Sequence, residues 1–572
     1  MTGSDISDGT DYFWIKEVRI KGFKQFGETY ALRLNRGLNV LVGNNGAGKT
    51  TVMEAVNLAL TARYRGESIN TCISRYLFNN DMVSQYLKEI ESGETIAPPS
   101  IEIDLFLGGG EDHALAVLEG DNNSSRIKGS GIHFEISFDD EYADEYRECL
   151  QQNTIKDLPI EYYRASRRSF AYALITQRSL PFSSALINPA GEWQSRRSDE
   201  RAARTLRSTL DNGQKIKLSQ QFRESRQQYA QLLSGEEFLV LGKDFGDAKA
   251  KLTVDWGTKD SWKDDLVVSV DDIPYAHIGA GNQCIIQTAI ALTDKAKGKV
   301  SVILMEEPEN HLSHTNLNRL LNAIVTNSNG RQMIVSTHSS FVANKLNLNN
   351  LLLLNGGSNH SCDQAVRFDS LRDETYRHFA ALPGYDTLRF VLSDKVILVE
   401  GPSDELVVQR FYKDSHDGRL PIEDGTDVMS VGLSFKRFLE IGKVLNKKVA
   451  VITDNDDDPE ALDKRYEKWK SEKCGVFYES EVHSCPEVFR DKAESDAGSG
   501  KYVRWNTLEP VLVRSASLQV IGKLLNKNEV DEYDLVKWME SHKTEVALAI
   551  LQSPTPIQQP EYIRKAIEFI DE

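Results

Sequence analysis

The 572-residue chain contains no CxxC pair; its six cysteines, Cys72, Cys149, Cys284, Cys362, Cys474 and Cys485, are scattered. That spacing excludes a zinc-ribbon or disulfide framework and points to reduced thiols in a cytoplasmic protein. His483 and Cys485 are close, but no second pair stands at metal spacing to complete a zinc site. Long hydrophobic runs are missing too. The longest, such as "VILM" and "LLLL", are strand-sized, far below the ~18 residues of a membrane span, so no membrane partner is expected. The opening "MTGSDISDGTD" is acidic and polar, unlike a secretory leader. Positive charge is also short: the net charge is −17. This excludes a passive, charge-driven nucleic-acid coat. It leaves room for a local basic surface, for which Arg164, Arg167, Arg168, Arg196, Arg197, Arg201, Arg204 and Arg207 are the candidates. There is no low-complexity tract and no internal repeat, and the length calls for two to four domains.

What is present is an alternation of strand and helix. Strands are predicted in "FWIKEVRIKGFKQFGETYALRL", "GLNVLVG", "SIEIDLFLGG" and "GIHFEISFDD", and a helix from Lys49 through "TTVMEAVNLALTARY". Residues 190–236 read as a polar helical arm with too few apolar residues to bury itself. "KVSVILMEE" and "RQMIVSTHSS" are buried strands, and "LPGYDTLRFVLSD" looks like a join. Beyond it a second α/β unit contains "KVILVEG", "DVMSVG" and "KVAVITDND", followed by mostly helical sequence.

"GNNGAGKTT" fits G-x4-G-K-[ST] between a strand and a helix. The loop of Gly43, Asn44, Asn45, Gly46 and Gly48 would wrap phosphates with backbone N–H groups, with Lys49, Thr50 and Thr51 opening the helix. Lys49 reaches the terminal phosphates and Thr50 holds Mg²⁺. Downstream, an apolar strand ends in Glu306 and Glu307, one acid for the Mg²⁺ water shell and one to polarise the attacking water. Another ends on His338, suited to sensing a γ-phosphate. "HIGAGNQ", with Gly279, Gly281 and Gln283 before a helix, offers a second backbone cradle. In the second unit, "KVILVEGPSDELVV" ends a strand on Glu400 and puts Asp404 in the next helix's first turn. "VAVITDND" ends a strand on Asp454 and Asp456. In a parallel sheet the carboxyl ends of strands share one rim, so four acids converge there. Such a cluster raises its own pKa values unless a hard cation such as Mg²⁺ or Mn²⁺ sits among them. Asp457 and Asp458 are expected to face solvent.

The first ensemble, opened by "IKGFKQFGE", resembles ABC-type ATPase heads of the SMC and RecF class. That resemblance implies that the Gly-Gln signature of one subunit closes over ATP held by another, hence a homodimer or larger homo-oligomer. Two departures put fast turnover in doubt: the signature lacks Leu-Ser-Gly-Gly order, and Glu306 stands where most such heads carry Asp. E-G-x-x-D followed by D-x-D is similar to a Toprim domain, and Toprim behind an ABC head resembles the OLD (overcoming lysogenisation defect) family of ATP-dependent endonucleases. The resemblance implies Glu509, in "WNTLEPVL", as a further metal ligand and Lys543, in "SHKTEVAL", as the transition-state lysine. It also implies an α/β organisation of an ATPase head in two parts (1–189 and 237–385) around a helical dimerisation insert (190–236). A Toprim domain (386–515) and C-terminal helices (516–572) complete it. The expected activity is metal-dependent cutting or nicking of DNA under ATPase control in antiphage defence, with a helicase or a retron RNA or DNA among the family's partners. The alternative is an SMC- or RecF-like ATP-gated DNA clamp with a structural second unit. Strand passage lacks a gate domain and priming lacks a zinc module, so neither is favoured.

Overall fold

A computed structural model describes the chain apart from residues 1–11, 93–96, 110–114, 153–154, 177–179, 181, 188–209, 234–238, 241–248, 251–268, 271, 293–299, 328–329, 355–364, 382–385 and 499–502. Two compact units emerge. The first comprises residues up to His338 with Asn350–Ala365; the second comprises Ser339–Asn349 and everything from Val366.

In the first unit the strand Trp14–Lys21 pairs antiparallel with Tyr30–Arg33 on one side and Ile101–Gly108 on the other. Gly129–Phe138 and Tyr163–Ser169 extend this sheet. Alternate residues Ile101, Ile103 and Leu105 turn inward, as do Ile132, Phe134 and Ile136. The second sheet is parallel, in the order Ser183–Ile187, Val300–Glu306, Gln332–Ser336, Leu38–Val42, Leu351–Leu353. The central strand Leu38–Val42 is flanked on both edges and buries four of its five residues, the continuous apolar pattern of an interior parallel strand. The helix Lys49–Thr61 shares one apolar core with inward residues of both sheets: Val52, Met53 and Val56 join Leu41, Leu304 and Ile334. Gln332 ties the two sheets by polar contact. Its fully buried amide accepts from the Ile15 N–H at 2.8 Å and donates to the Ile15 carbonyl at 2.9 Å.

Of the expected helical arm, the described part is one helix, Asn212–Leu233. Arg196, Arg197, Arg201, Arg204 and Arg207 lie outside the described residues. Arg167 departs from the expected basic surface. It occupies a strand position whose side chain faces inward, so it is buried and donates to the carbonyls of Leu60 (2.6 Å) and Ile175 (3.2 Å). Arg164 and Arg168 are exposed, the former ion-paired to Asp139 at 3.2 Å.

The second unit has a parallel sheet in the order Thr426–Ser430, Lys395–Val399, Lys448–Ile452, Cys474–Phe477. Ile397, Val399, Ala450 and Ile452 contribute to a core shared with the helices Pro402–Ser415, Leu508–Ala516, Glu532–Ser541, Lys543–Gln552 and Glu561–Asp571. One buried side chain organises this layer. Arg410 donates to the carbonyls of Ile550 (2.9 Å) and Thr555 (3.0 Å) and to Ser553, and pairs with Asp414 at 2.9 Å. It fastens the far end of Lys543–Gln552 to Pro402–Ser415. Among the described residues no helix is long and apolar enough to cross a membrane.

Candidate functional site

The phosphate loop follows from its glycines. Gly46 and Gly48 have φ of 78° and 99°, the left-handed region in which a Cβ is costly. At Gly48 a Cβ would also sit 2.3 Å from the Gln25 amide nitrogen. Gln25 is the brace here: it donates to the Gly46 carbonyl at 3.0 Å and accepts from the Thr51 hydroxyl at 3.0 Å. Lys49, 5% exposed, folds back onto the loop and donates to the carbonyls of Gly43 (2.8 Å) and Asn44 (3.1 Å). Burial holds its pKa below the ordinary lysine value, opposed by the nearby negative charge of Glu307. Asn44, Asn45, Gly46 and Thr50 are exposed.

The acids of the adjoining strand divide. Glu306 ends Val300–Glu306 opposite Ser336 and is buried. Glu307 leaves the strand with φ of 41°, its N–H on the Ser336 carbonyl at 2.9 Å. Its carboxylate accepts from Asn310 at 2.7 Å and lies 3.4 Å from the His338 imidazole. Lys49, Glu307 and His338 therefore stand at one edge of the sheet. Glu309 was not anticipated from the sequence. One of its oxygens accepts from the Thr337 hydroxyl (2.7 Å) and the His338 N–H (3.0 Å), while the other is buried without a partner. At the second cradle, Gly281 lies where a Cβ would meet the His311 carbonyl at 2.3 Å. Gln283 is tied back: its amide donates to the Tyr275 carbonyl at 2.8 Å. No described hydrogen bond joins Gly279, Gly281 or Gln283 to the phosphate loop.

In the second unit, Glu400 and Asp454 follow adjacent parallel strands and meet. One Glu400 oxygen accepts from the Thr453 hydroxyl at 2.5 Å and the Asp454 N–H at 3.1 Å. Pro402 opens the next helix, and Asp404 reaches back to the Gly401 N–H at 2.7 Å. Burial, partly offset by that hydrogen bond, pushes the Asp404 carboxyl up to about 6, with Glu509 and Glu400 adding to the rise. Asp454 is pushed up to about 8 by burial first, then by Glu400, Asp404 and Glu509, with Lys543 opposing. Glu509 sits in the first turn of Leu508–Ala516, 3% exposed, and ion-pairs with Lys543 at 2.9 Å. Its other oxygen is buried without a partner. Lys543 opens its own helix, and although burial opposes its charge, Glu509, Asp454 and Asp404 hold its pKa above the ordinary value. Five predicted residues, Glu400, Asp404, Asp454, Glu509 and Lys543, thus form one electrostatic cluster.

Asp456 does not join it. The chain turns left-handed at Asp456 (φ 49°) and Asp457 (φ 63°), and the exposed Asp456 carboxylate lies 3.9 Å from Arg465. Once the strand has ended, alternate spacing no longer returns a side chain to the same rim. Asp457 and Asp458 are exposed, as expected; the former accepts from the Asn506 amide and the latter caps the helix Pro459–Tyr466. Sequence reasoning also missed Thr453 and Tyr562. Burial raises the Tyr562 hydroxyl pKa well above its ordinary value, reinforced by Asp454 and Asp404. Among the described residues no three His, Cys, Asp or Glu side chains are arranged to hold a metal as they stand. The donor chemistry nonetheless fits a divalent cation: buried oxygens, one of them unpartnered, and a carboxyl whose pKa is raised by burial and by three neighbouring acids.

Residues 38–344 match the family model described as "AAA domain, putative AbiEii toxin, Type IV TA system". Residues 391–456 match the model "Overcoming lysogenization defect protein-like, TOPRIM domain". The chain is 45% identical over 53 residues to the DNA replication and repair protein RecF of Streptococcus uberis, covering 9% of this chain and 14% of that protein. It is 49% identical over 49 residues to the DNA double-strand break repair Rad50 ATPase of Methanopyrus kandleri, covering 9% of this chain and 6% of that one. The solved structure of the recombination mediator protein RecF with ATP aligns over 61% of this chain and 98% of its own, with 11% identity and a TM-score of 0.33.

Proposed function

We propose, from the premise that this chain belongs to the AAA-domain family matched over residues 38–344 and from its match to the OLD-like Toprim model over residues 391–456, that it is an ATP-binding, divalent-metal-dependent DNA endonuclease or nickase. The observation that carries this reading is the meeting of Glu400 with Asp454, closed by Asp404, Glu509 and Lys543. In it Glu400, Asp404, Asp454 and Glu509 hold Mg²⁺ or Mn²⁺. When bound, the metal supplies Lewis-acid charge and a more acidic water. Lys543, fixed by Glu509, places positive charge where a phosphodiester's developing anion would form. Thr453 and the Asp454 N–H hold Glu400 to one orientation, keeping its second oxygen for the ligand.

At the other site Lys49 exchanges the carbonyls of Gly43 and Asn44 for nucleotide phosphates, while Glu307, positioned by Asn310 beside His338, orients water. Glu306 and Thr50 serve the magnesium ion of the nucleotide, and Gly279, Gly281 and Gln283 serve a partner subunit's ATP in a homo-oligomer. The division into a split head, a helical insert, a nuclease domain from 386 and closing helices from 516 belongs to the same reading, as does a role in antiphage defence.

The test is supercoiled plasmid with Mg²⁺ or Mn²⁺, with and without ATP, using wild type, Lys49→Ala and Asp454→Ala. Loss of cutting in Asp454→Ala with ATP binding retained is the expected result; cutting that survives there removes the proposal. The alternative reading is an ATP-gated DNA clamp with a structural second unit. It predicts DNA retention on ATP binding, with Glu400 and Asp454 dispensable.

A further inference from the structure

A cavity of about 420 Å³ lies at the amino ends of the strands Lys448–Ile452 and Cys474–Phe477. This is the sheet edge opposite Glu400 and Asp454. Five lysines line it, Lys443, Lys447, Lys468, Lys470 and Lys473, against one acid, Glu472. In a chain of net charge −17 such a one-sided lining concentrates anions against the overall field. Three of the five are already engaged: Lys447 donates to the carbonyls of Phe390 (2.8 Å) and Val391 (3.0 Å), Lys470 pairs with Asp463 at 2.5 Å, and Lys468 lies over one face of the Trp469 ring at 5.7 Å. Among the described residues, Lys443, Lys468 and Lys473 have no carboxylate partner. The carboxyl end of the helix Phe435–Val444 accounts for a cation at Lys443 through its dipole, but not for the others.

A second observation is independent of charge. Trp469 also lines the cavity, and its indole N–H is buried without an acceptor. An unsatisfied buried donor is costly. The volume falls in the ~300–1,000 Å³ range of small-ligand sites. We propose that this cavity binds a nucleotide unit, with its phosphate on Lys443 and Lys473 and its sugar or base against Trp469. Flat indole faces accept any base by stacking, and lysine accepts any phosphate. A free nucleotide and one residue of a single strand present this same chemistry.

The test uses full-length Lys49→Ala protein, in which the phosphate loop is disabled. Calorimetric titration with AMP and with a short single-stranded oligonucleotide, each with and without competing inorganic phosphate, should show saturable binding that phosphate weakens. Adding Lys443→Glu and Lys473→Glu should lower that affinity at least tenfold and flatten its dependence on salt. Trp469→Phe should remove the ligand-induced change in tryptophan fluorescence. Binding of AMP but not oligonucleotide supports a free nucleotide as the occupant; tighter binding of oligonucleotide supports a strand. Should the double charge reversal melt early, Lys443→Gln with Lys473→Gln replaces it. Affinity unchanged by these substitutions, or no binding of either probe, overturns the proposal.

Discussion

The two sheet edges hold opposite charge problems. At the phosphate loop a cation is buried and held on neutral carbonyls, with Lys49 on Gly43 and Asn44. At the Toprim rim three acids press on Asp454, and one lysine answers them. Each edge stores, in the absence of ligand, the charge opposite to what it binds. The first calls for polyanionic phosphate and the second for a cation. Chemically distinct sites thus arise from one architectural rule, that parallel strands deliver side chains to a common rim.

The comparison breaks most sharply by neutralising each edge. Asp454→Asn should cut plasmid about 100-fold or more slowly while leaving ATP binding intact. Lys49→Ala should do the reverse to ATP binding, measured by nucleotide titration. Asp454→Asn should also raise the melting midpoint of the metal-free protein by about 2 °C or more, because it removes an uncompensated buried acid. Mg²⁺ should then raise the midpoint of wild type but not of the variant. Next in size is Arg410→Met, which strands the carbonyls of Ile550, Ser553 and Thr555 and should cost about 2–4 kcal/mol in urea unfolding of the second unit. Gln332→Leu, which breaks the tie between the two sheets of the first unit, should cost about 1–3 kcal/mol.

The smallest effect separates the units by pH. His133 is buried, which opposes its charge, but a 2.6 Å hydrogen bond to Asp104 and the charges of Asp104, Glu135 and Glu102 raise its pKa overall. A histidine whose folded pKa exceeds the unfolded ~6.5 contributes stability that is complete below that value. The contribution is lost as pH rises through the folded pKa. Thermal melts of wild type should therefore fall over that window for the first unit, and His133→Gln should flatten the dependence.

The inner parallel strands Leu38–Val42, Val300–Glu306, Gln332–Ser336, Lys395–Val399 and Lys448–Ile452 and the phosphate loop were legible because they rest on local pattern, whereas Tyr163–Ser169, Ser183–Ile187 and Cys474–Phe477 were not anticipated. Apolar runs bounded by glycine mark buried parallel strands, and G-x4-G-K-T marks a strand-to-helix turn. Glu400, Asp404 and Asp454 were legible for the same reason, each standing at a strand end or in the following turn. Asp456 misled, because spacing does not reveal where the backbone leaves the strand and turns left-handed. Glu509 and Lys543 came from resemblance alone. Thr453 meets a partner 53 positions away and Arg410 one 140 away, distances at which no periodicity speaks. Arg167 looked like surface charge because a strand's inward and outward arginines read alike without knowing the sheet's faces.

The Arg410 clasp has a consequence for the order of synthesis. Ribosomes deliver Glu400, Asp404 and Asp454 well before Lys543, and the helix bearing that lysine is fastened only once Ile550 and Thr555 have emerged. A nascent chain therefore carries its acids without their counter-charge or clamp. Until residues 543–555 have been made, the acid cluster stands without the lysine and the clasp that complete it.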